Sequence, residues 1–113
     1  MANTTLSDPQ YPINVTNIDE ETAIAEANGY ILDHFPDRFC AGIPRMVSFP
    51  ARIIWAVPIL LSYPEIGPIG EVGIVAVDSE TGNVVGWTPA SEVMKAANKI
   101  YSEKKTTIEA SFS

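Results

Sequence analysis

Residues 71–87 constrain the fold more than any other part of the chain, because they have the pattern of two strands joined by a tight turn. Apolar residues fill both faces of the first strand up to Asp78, and the second strand runs from Val84 to Trp87. Between them, Gly82 supplies the positive φ that a short hairpin loop requires. The pattern predicts antiparallel sheet and carries no comparably sharp sign of chemistry.

The composition is that of one globular domain. Of the 113 residues, 46% are hydrophobic and 19% are charged, and this length suits a single core. Fourteen acidic residues oppose seven basic ones, so the formal net charge is −7. A field of that sign repels phosphate backbones and anionic lipid. We therefore expect neither nucleic acid nor a membrane as a partner.

Several features predict a cytoplasmic protein. The first ten residues contain neither the basic start nor the apolar run of a secretory signal. Cys40 is the single cysteine, which excludes an intramolecular disulfide and agrees with a reducing compartment. The longest apolar run, residues 53–61, contains a proline and is much shorter than the roughly 20 residues of a spanning helix.

The N-terminal part is predicted to hold a flexible arm and then a helix. Residues 1–16 are polar and contain two prolines, which suits a loosely held arm. Asn17 can cap a helix whose apolar residues recur at spacings of three and four. That helix ends before Pro36, because the residue before a proline disfavours helical geometry.

The middle of the chain is predicted to form an irregular connection and a long strand. Residues 36–50 are rich in proline and leave room for a short strand at 46–49. A stronger strand follows over 53–63, and residues 64–70 form a loop before the hairpin. Pro58 has no amide proton to donate, so we expect this strand at an edge, or with its Pro58 side turned away from a neighbour.

A second helix is predicted after the hairpin. Thr88 is a suitable cap, with Pro89 at the first helical position, and the helical pattern continues to about residue 105. Residues 106–113 fit either a frayed tail or a late strand. The chain is thus predicted to be a single α+β domain over 17–105, with an antiparallel three- or four-stranded sheet and an N-terminal and a C-terminal helix packed on one face.

The chain resembles PepSY-type small domains over roughly residues 19–87. The resemblance rests on a helix beginning Glu-Glu-Thr-Ala-Ile, a strand reading Ile-Trp-Ala-Val-Pro-Ile, and a hairpin with Val77-Asp78, Thr81-Gly82 and Val84-Val85. In that family a helix precedes a meander whose last hairpin carries a similar turn, and members bind or restrain peptidases. The resemblance implies this fold and binding without catalysis.

One local cluster has chemical potential, namely His34, Asp37 and Cys40. These residues could supply a base, a carboxylate and a thiolate at the mouth of a pocket between the first helix and the sheet. A closed zinc site normally takes four nitrogen or sulfur ligands, whereas this chain has one histidine and one cysteine. We therefore predict no metal and no cofactor, and keep a small enzyme or small-molecule binder as the alternative function.

The preferred function is a small non-catalytic protein-binding module of the adaptor, inhibitor, antitoxin or immunity type. The strand over 53–63 is apolar on both sides, and such a strand has to be covered on both sides. We therefore expect a protein partner or a homodimer, bound through an apolar sheet face or an edge strand. The predicted contact residues are Trp55, Val57, Ile59, Tyr63 and Trp87.

Overall fold

The computed structural model describes residues 17–111. It contains three helices and five strands within that range: α1 (Glu20–His34), β1 (Phe39–Ala41), β2 (Arg45–Ser48), β3 (Ile53–Tyr63), β4 (Gly67–Asp78), β5 (Val84–Trp87), α2 (Ala90–Glu103) and α3 (Lys105–Ser111). The predicted arm over residues 1–16 lies outside the described residues.

The strands form one antiparallel sheet around the long β3–β4 hairpin. The order is β1-β3-β4-β5, and β2 pairs with the same edge of β3 as β1, further along that strand. The α+β class, the antiparallel sheet and the two flanking helices are therefore confirmed. The sheet has five strands, because residues 36–50 supply two short strands.

The position of Pro58 corrects the expectation of an edge strand. β3 is central, with β4 on one side and β1 and β2 on the other. The Pro58 carbonyl accepts a hydrogen bond from the Gly42 amide at 2.8 Å, so Pro58 faces the break between β1 and β2. A residue at such a break need not donate to a ladder, which allows proline in a central strand.

Both long helices cover the same face of the sheet. The alternate β3 residues Val57, Ile59 and Leu61 are buried against side chains from α1 and α2 in one apolar cluster. The helical contributions to this cluster are Ala23, Ala27, Ile31, Val93 and Ala97. Small side chains on the helices allow close approach to a sheet made of branched residues.

The opposite face of β3 is also buried, and this changes the argument for a partner. Ile54 is 9% exposed and Ala56 is 5% exposed, while Pro58 is buried as well. The sequence led us to expect a partner protein or a second copy of the chain on one face of the sheet. Contacts within the chain already bury these three residues, so this part of the face offers no wide apolar strip for a partner.

The helix starts differ from the predictions at two residues. The N-cap of α1 is Asp19 rather than Asn17, and its carboxylate accepts a hydrogen bond from the Thr22 amide at 2.8 Å. Thr88 does not cap α2, which has no side-chain cap. Its hydroxyl instead accepts from the Ile74 amide at 2.9 Å and so joins the end of β5 to β4. A tertiary hydrogen bond replaces the local one that the pattern predicted.

The end of the described chain is helical. Residues 105–111 form α3, where the sequence left open a frayed tail or a late strand. Ile108 is 3% exposed, so one residue of this short helix is firmly buried. Burial of an apolar residue explains why a segment with little helix propensity of its own is ordered as a helix.

Two glycines provide a matched test of the backbone. Gly82 has a φ of 78°, and a Cβ there would lie 3.5 Å from the Ile18 side chain. Gly82→Ala should lower the free energy of unfolding by about 1–2 kcal/mol, because an L side chain disfavours this conformation. Gly29 lies in α1 with open space around it, so Gly29→Ala should raise the free energy of unfolding by about 1 kcal/mol. Urea unfolding of both variants measures the two signs, and two shifts of the same sign would contradict this assignment.

Candidate functional site

The predicted contact residues lie in different environments. Val57 and Ile59 are fully buried beneath the helices, so neither offers surface to a partner. Trp55 is half-buried and its indole N–H donates to the Ile18 carbonyl at 3.2 Å, so it holds the entry to α1. Tyr63 is half-buried beneath the Arg38 guanidinium. Trp87 is 54% exposed and is the member of the set best placed to contact a partner.

Trp87 belongs to a stack of three rings that we call the aromatic row: His34, Tyr30 and Trp87. The Tyr30 and His34 ring centroids are 4.0 Å apart with nearly parallel planes, and the Tyr30 and Trp87 centroids are 5.3 Å apart. Stacked aromatic rings offer a large rigid contact area with little conformational entropy to lose on binding. The row is therefore the strongest candidate for a recognition surface.

Local structure explains how the row forms. Tyr30 and His34 are four residues apart on α1, so their side chains are neighbours on the helix surface. The His34 Nδ1–H donates to the Tyr30 carbonyl at 2.8 Å, which holds the imidazole over the phenol ring. Trp87 is the last residue of β5 and shares the helix-covered face through its register partner Val75.

The row lies beside an outer edge of the sheet. Among the described residues, β5 pairs only with β4. The Thr88 amide donates to the Ile74 carbonyl at 2.9 Å, so Thr88 turns its main chain toward β4. Because main-chain groups alternate in direction along a strand, the amide and carbonyl of Trp87 point away from β4. This edge therefore presents hydrogen-bonding groups next to an exposed tryptophan.

Two polar atoms of the row remain available to a partner. Neither the Tyr30 hydroxyl nor the Trp87 indole N–H has a hydrogen-bond partner within residues 17–111. Desolvation by burial raises the pKa of Tyr30 above its ordinary value, so its hydroxyl keeps its proton at neutral pH. The row thus combines apolar contact area with two donors that can fix the orientation of a partner.

The surroundings of the row are acidic. Glu26 and Asp33 lie four residues before and three residues after Tyr30, which places both on its side of α1. Both are exposed, and α1 contains no lysine or arginine. The electrostatic field around the row therefore favours a cationic group.

The structure distributes His34, Asp37 and Cys40 over different environments. His34 is stacked on Tyr30, and Asp37 is exposed in the turn after α1. Cys40 is half-buried in β1 opposite Leu60, and therefore on the sheet face away from the helices. Among residues 17–111, no three His, Cys, Asp or Glu side chains are close enough to hold a metal ion.

A separate cavity lies between the end of β3 and α2. Its volume is about 240 Å³, and none of His34, Asp37 and Cys40 lines it. The lining residues are Pro36, Arg38, Phe39, Leu61, Tyr63, Met94, Ala97, Asn98 and Tyr101. This cavity is therefore different from the pocket that the sequence predicted between the first helix and the sheet, with His34, Asp37 and Cys40 at its mouth.

Sequence reasoning missed Tyr30, Arg38 and α2 as contributors to these sites. Tyr30 meets Trp87 only when β5 is placed beside α1, and no local pattern encodes that neighbour. One signal was present in the sequence: Tyr30 and His34 share the four-residue spacing that puts two rings on one side of a helix. Arg38 and α2 are distant in sequence and meet only through the sheet.

Comparison of the chain with protein-family models, with curated proteins and with solved structures finds no match. The resemblance to PepSY-type domains therefore stays a prediction. No helix within residues 17–111 is both long enough and apolar enough to cross a membrane.

Proposed function

We propose that this chain is a non-catalytic protein-binding module that takes an extended, basic segment of a partner protein along the outer edge of β5. The observation that carries the proposal is the exposed Trp87, stacked on Tyr30 at a strand edge whose main-chain groups point outward. Strand addition uses those groups for affinity and the neighbouring side chains for specificity.

The charge of the site supports a basic segment. Lysine or arginine side chains of an added strand would lie near Glu26 and Asp33, and a cation over the Trp87 or Tyr30 ring gains a further attraction. The net charge of −7 speeds encounter with a basic surface. Complex formation should therefore weaken as salt concentration rises.

The single free cysteine, Cys40, supports a cytoplasmic location for this module, because reducing compartments tolerate unpaired thiols.

The absence of catalysis is part of the same proposal. It is supported by the commitment of the His34 ring to the stack on Tyr30 and to the Tyr30 carbonyl.

The proposal is tested with two peptides of alternating sequence, one of lysine and valine and one of glutamate and valine. Titration of the labelled protein is followed by amide chemical shifts. The basic peptide should move the resonances of residues 84–88, and the acidic peptide should leave them unchanged. Trp87→Ala should weaken binding of the basic peptide at least tenfold, because a central tryptophan typically dominates such contacts.

Leu32→Ala is the matched control, since Leu32 is 73% exposed on the side of α1 that faces solvent. It removes an exposed apolar side chain without touching the aromatic row and should bind like wild type. Equal affinity for the two peptides, or equal loss in Trp87→Ala and Leu32→Ala, would overturn the proposal.

Light scattering on the pure chain separates a partner protein from a second copy. A monomer that binds the basic peptide supports the proposal as stated. A dimer that Trp87→Ala dissociates would identify the occupant of the β5 edge as a second copy of this chain, and would reject a separate basic partner.

A further inference from the structure

We propose that the cavity between the end of β3 and α2 is a binding site for a small monocarboxylate with an apolar body. It is distinct from the aromatic row, since His34, Tyr30 and Trp87 do not line it. The proposal rests on three features: apolar walls, a single cationic group held in place, and a volume that fits one ring or a short chain.

The walls of the cavity are apolar. Phe39 and Leu61 form the inner part from β1 and β3, and both are buried in the fold. Met94 and Ala97 line the α2 side. The volume of about 240 Å³ is below the range typical of drug-sized ligands. It therefore suits a body the size of one aromatic ring or a short alkyl chain.

Arg38 supplies the positive charge and is held by two contacts. Its carbonyl accepts a hydrogen bond from the Ser62 amide at 2.7 Å, which ties the main chain of Arg38 to β3. Its guanidinium carbon lies 5.2 Å from the centre of the Tyr63 ring, so the side chain is supported across the cavity wall. A guanidinium held in this way loses less freedom on binding and matches a carboxylate through two parallel hydrogen bonds.

The guanidinium has no acidic partner in the described part of the chain, because the salt bridges there involve Arg52 and Lys95 instead. An anionic ligand therefore need not displace an ion pair. The amide of Asn98 also lines the cavity and can donate a second contact. We therefore expect the Arg38 guanidinium to bind the carboxylate of a ligand.

The charge balance restricts the ligand to one negative charge. Arg38 is the single cationic residue of the lining. The Tyr101 hydroxyl donates to the Glu109 carboxylate at 3.5 Å, so an acidic group lies close to the same rim. With a protein net charge of −7, a second ligand charge would be repelled. A phosphate monoester or a dicarboxylate is therefore disfavoured.

The test compares phenylacetate and hexanoate with their neutral amides, titrated into the full chain and followed by amide chemical shifts. A carboxylate should move the resonances of Arg38, Phe39 and residues 94–101, and its amide should bind at least tenfold more weakly. Acid and amide binding equally, or neither acid binding at about 10 mM, would overturn the proposal.

Three variants test whether the carboxylate binds in this cavity and at Arg38. Arg38→Gln should weaken carboxylate binding at least tenfold while leaving amide binding unchanged. Arg45→Gln is the matched control, because Arg45 is an exposed arginine on β2 that does not line the cavity. Met94→Trp should fill the cavity from its rim, where Met94 is 39% exposed, and abolish binding of both ligand types. Unchanged carboxylate binding in Arg38→Gln or in Met94→Trp would reject this site.

Discussion

Replacement of Ile59 by alanine is expected to lower the free energy of unfolding by about 3–4 kcal/mol, because it leaves a cavity at a fully buried position. Ile59 lies in β3 between Ala41 of β1 and Gly73 of β4, and it belongs to the cluster that joins the sheet to both helices. Neighbouring backbone in a central strand cannot easily collapse into the space. Urea unfolding followed by circular dichroism measures the loss.

The same substitution distinguishes two roles for Ile59, that of a surface contact for a partner and that of a core residue. The sequence predicted Ile59 as a partner contact, and a contact residue on the surface would change stability by less than about 0.5 kcal/mol. The buried position predicts a large loss. Leu32→Ala, at a site 73% exposed, is the control and should unfold like wild type. An Ile59→Ala variant as stable as this control would show that Ile59 is not the core residue that the fold requires.

The features that sequence predicted well are those that depend on neighbours along the chain. The β4–β5 turn is an example. Asp78 accepts hydrogen bonds from the amides of Glu80 and Thr81, the Thr81 hydroxyl accepts from Asn83, and Gly82 has the expected positive φ. Each of these requirements is met within six consecutive residues, so their order in the sequence is sufficient to predict them.

The features that sequence missed depend on which segments meet in space. Pro58 reads as a residue of an edge strand, or as one turned away from a neighbouring strand, until the break between β1 and β2 is placed opposite it. Thr88 reads as a helix cap until the hydrogen bond to Ile74 is seen. In both cases a tertiary contact supplies the partner that the local pattern leaves open, and tertiary context commonly overrides local preference.

The candidate sites also contain both kinds of residue, those predicted from the local sequence and those whose role depends on tertiary contacts. Trp87 was predicted as a contact residue because an aromatic side chain on an uncovered face of the sheet would suit a partner. Its ring neighbour Tyr30 and the cavity residue Arg38 were not predicted as site residues. Both acquire their roles from segments far along the chain, through contacts with Trp87 and with Tyr63.

Asp78→Ala is expected to lower the free energy of unfolding by about 2–3 kcal/mol. One oxygen of the Asp78 carboxylate accepts from the Glu80 amide at 2.8 Å and the Thr81 amide at 3.1 Å, and the other lies 3.4 Å from the Arg52 guanidinium. Removal leaves two turn amides without their acceptor. The turn leads directly into β5, so the variant should also increase hydrogen exchange at residues 84–87.

Asp78→Asn is the matched control, because an amide oxygen can still accept from the turn while the negative charge is lost. It should destabilise the fold by about 1 kcal/mol at pH 7, less than the alanine variant does. If both substitutions cost the same at pH 7, charge rather than turn hydrogen bonding would account for the contribution of Asp78.

The stabilisation by Asp78 should depend on pH in a defined direction. Hydrogen bonds from the Glu80 and Thr81 amides lower the pKa of Asp78, with a smaller contribution from the Arg52 charge and against an opposing effect of burial. Because the pKa is lower in the folded chain than in the unfolded chain, the charged form stabilises the fold above the unfolded value. The stabilisation is lost as pH falls through the lower, folded value.

The stability difference between wild type and Asp78→Asn should therefore be constant from pH 5 to pH 7 and shrink below about pH 4. A difference that grows on acidification would contradict this assignment and would require a carboxyl group whose proton is retained in the folded state.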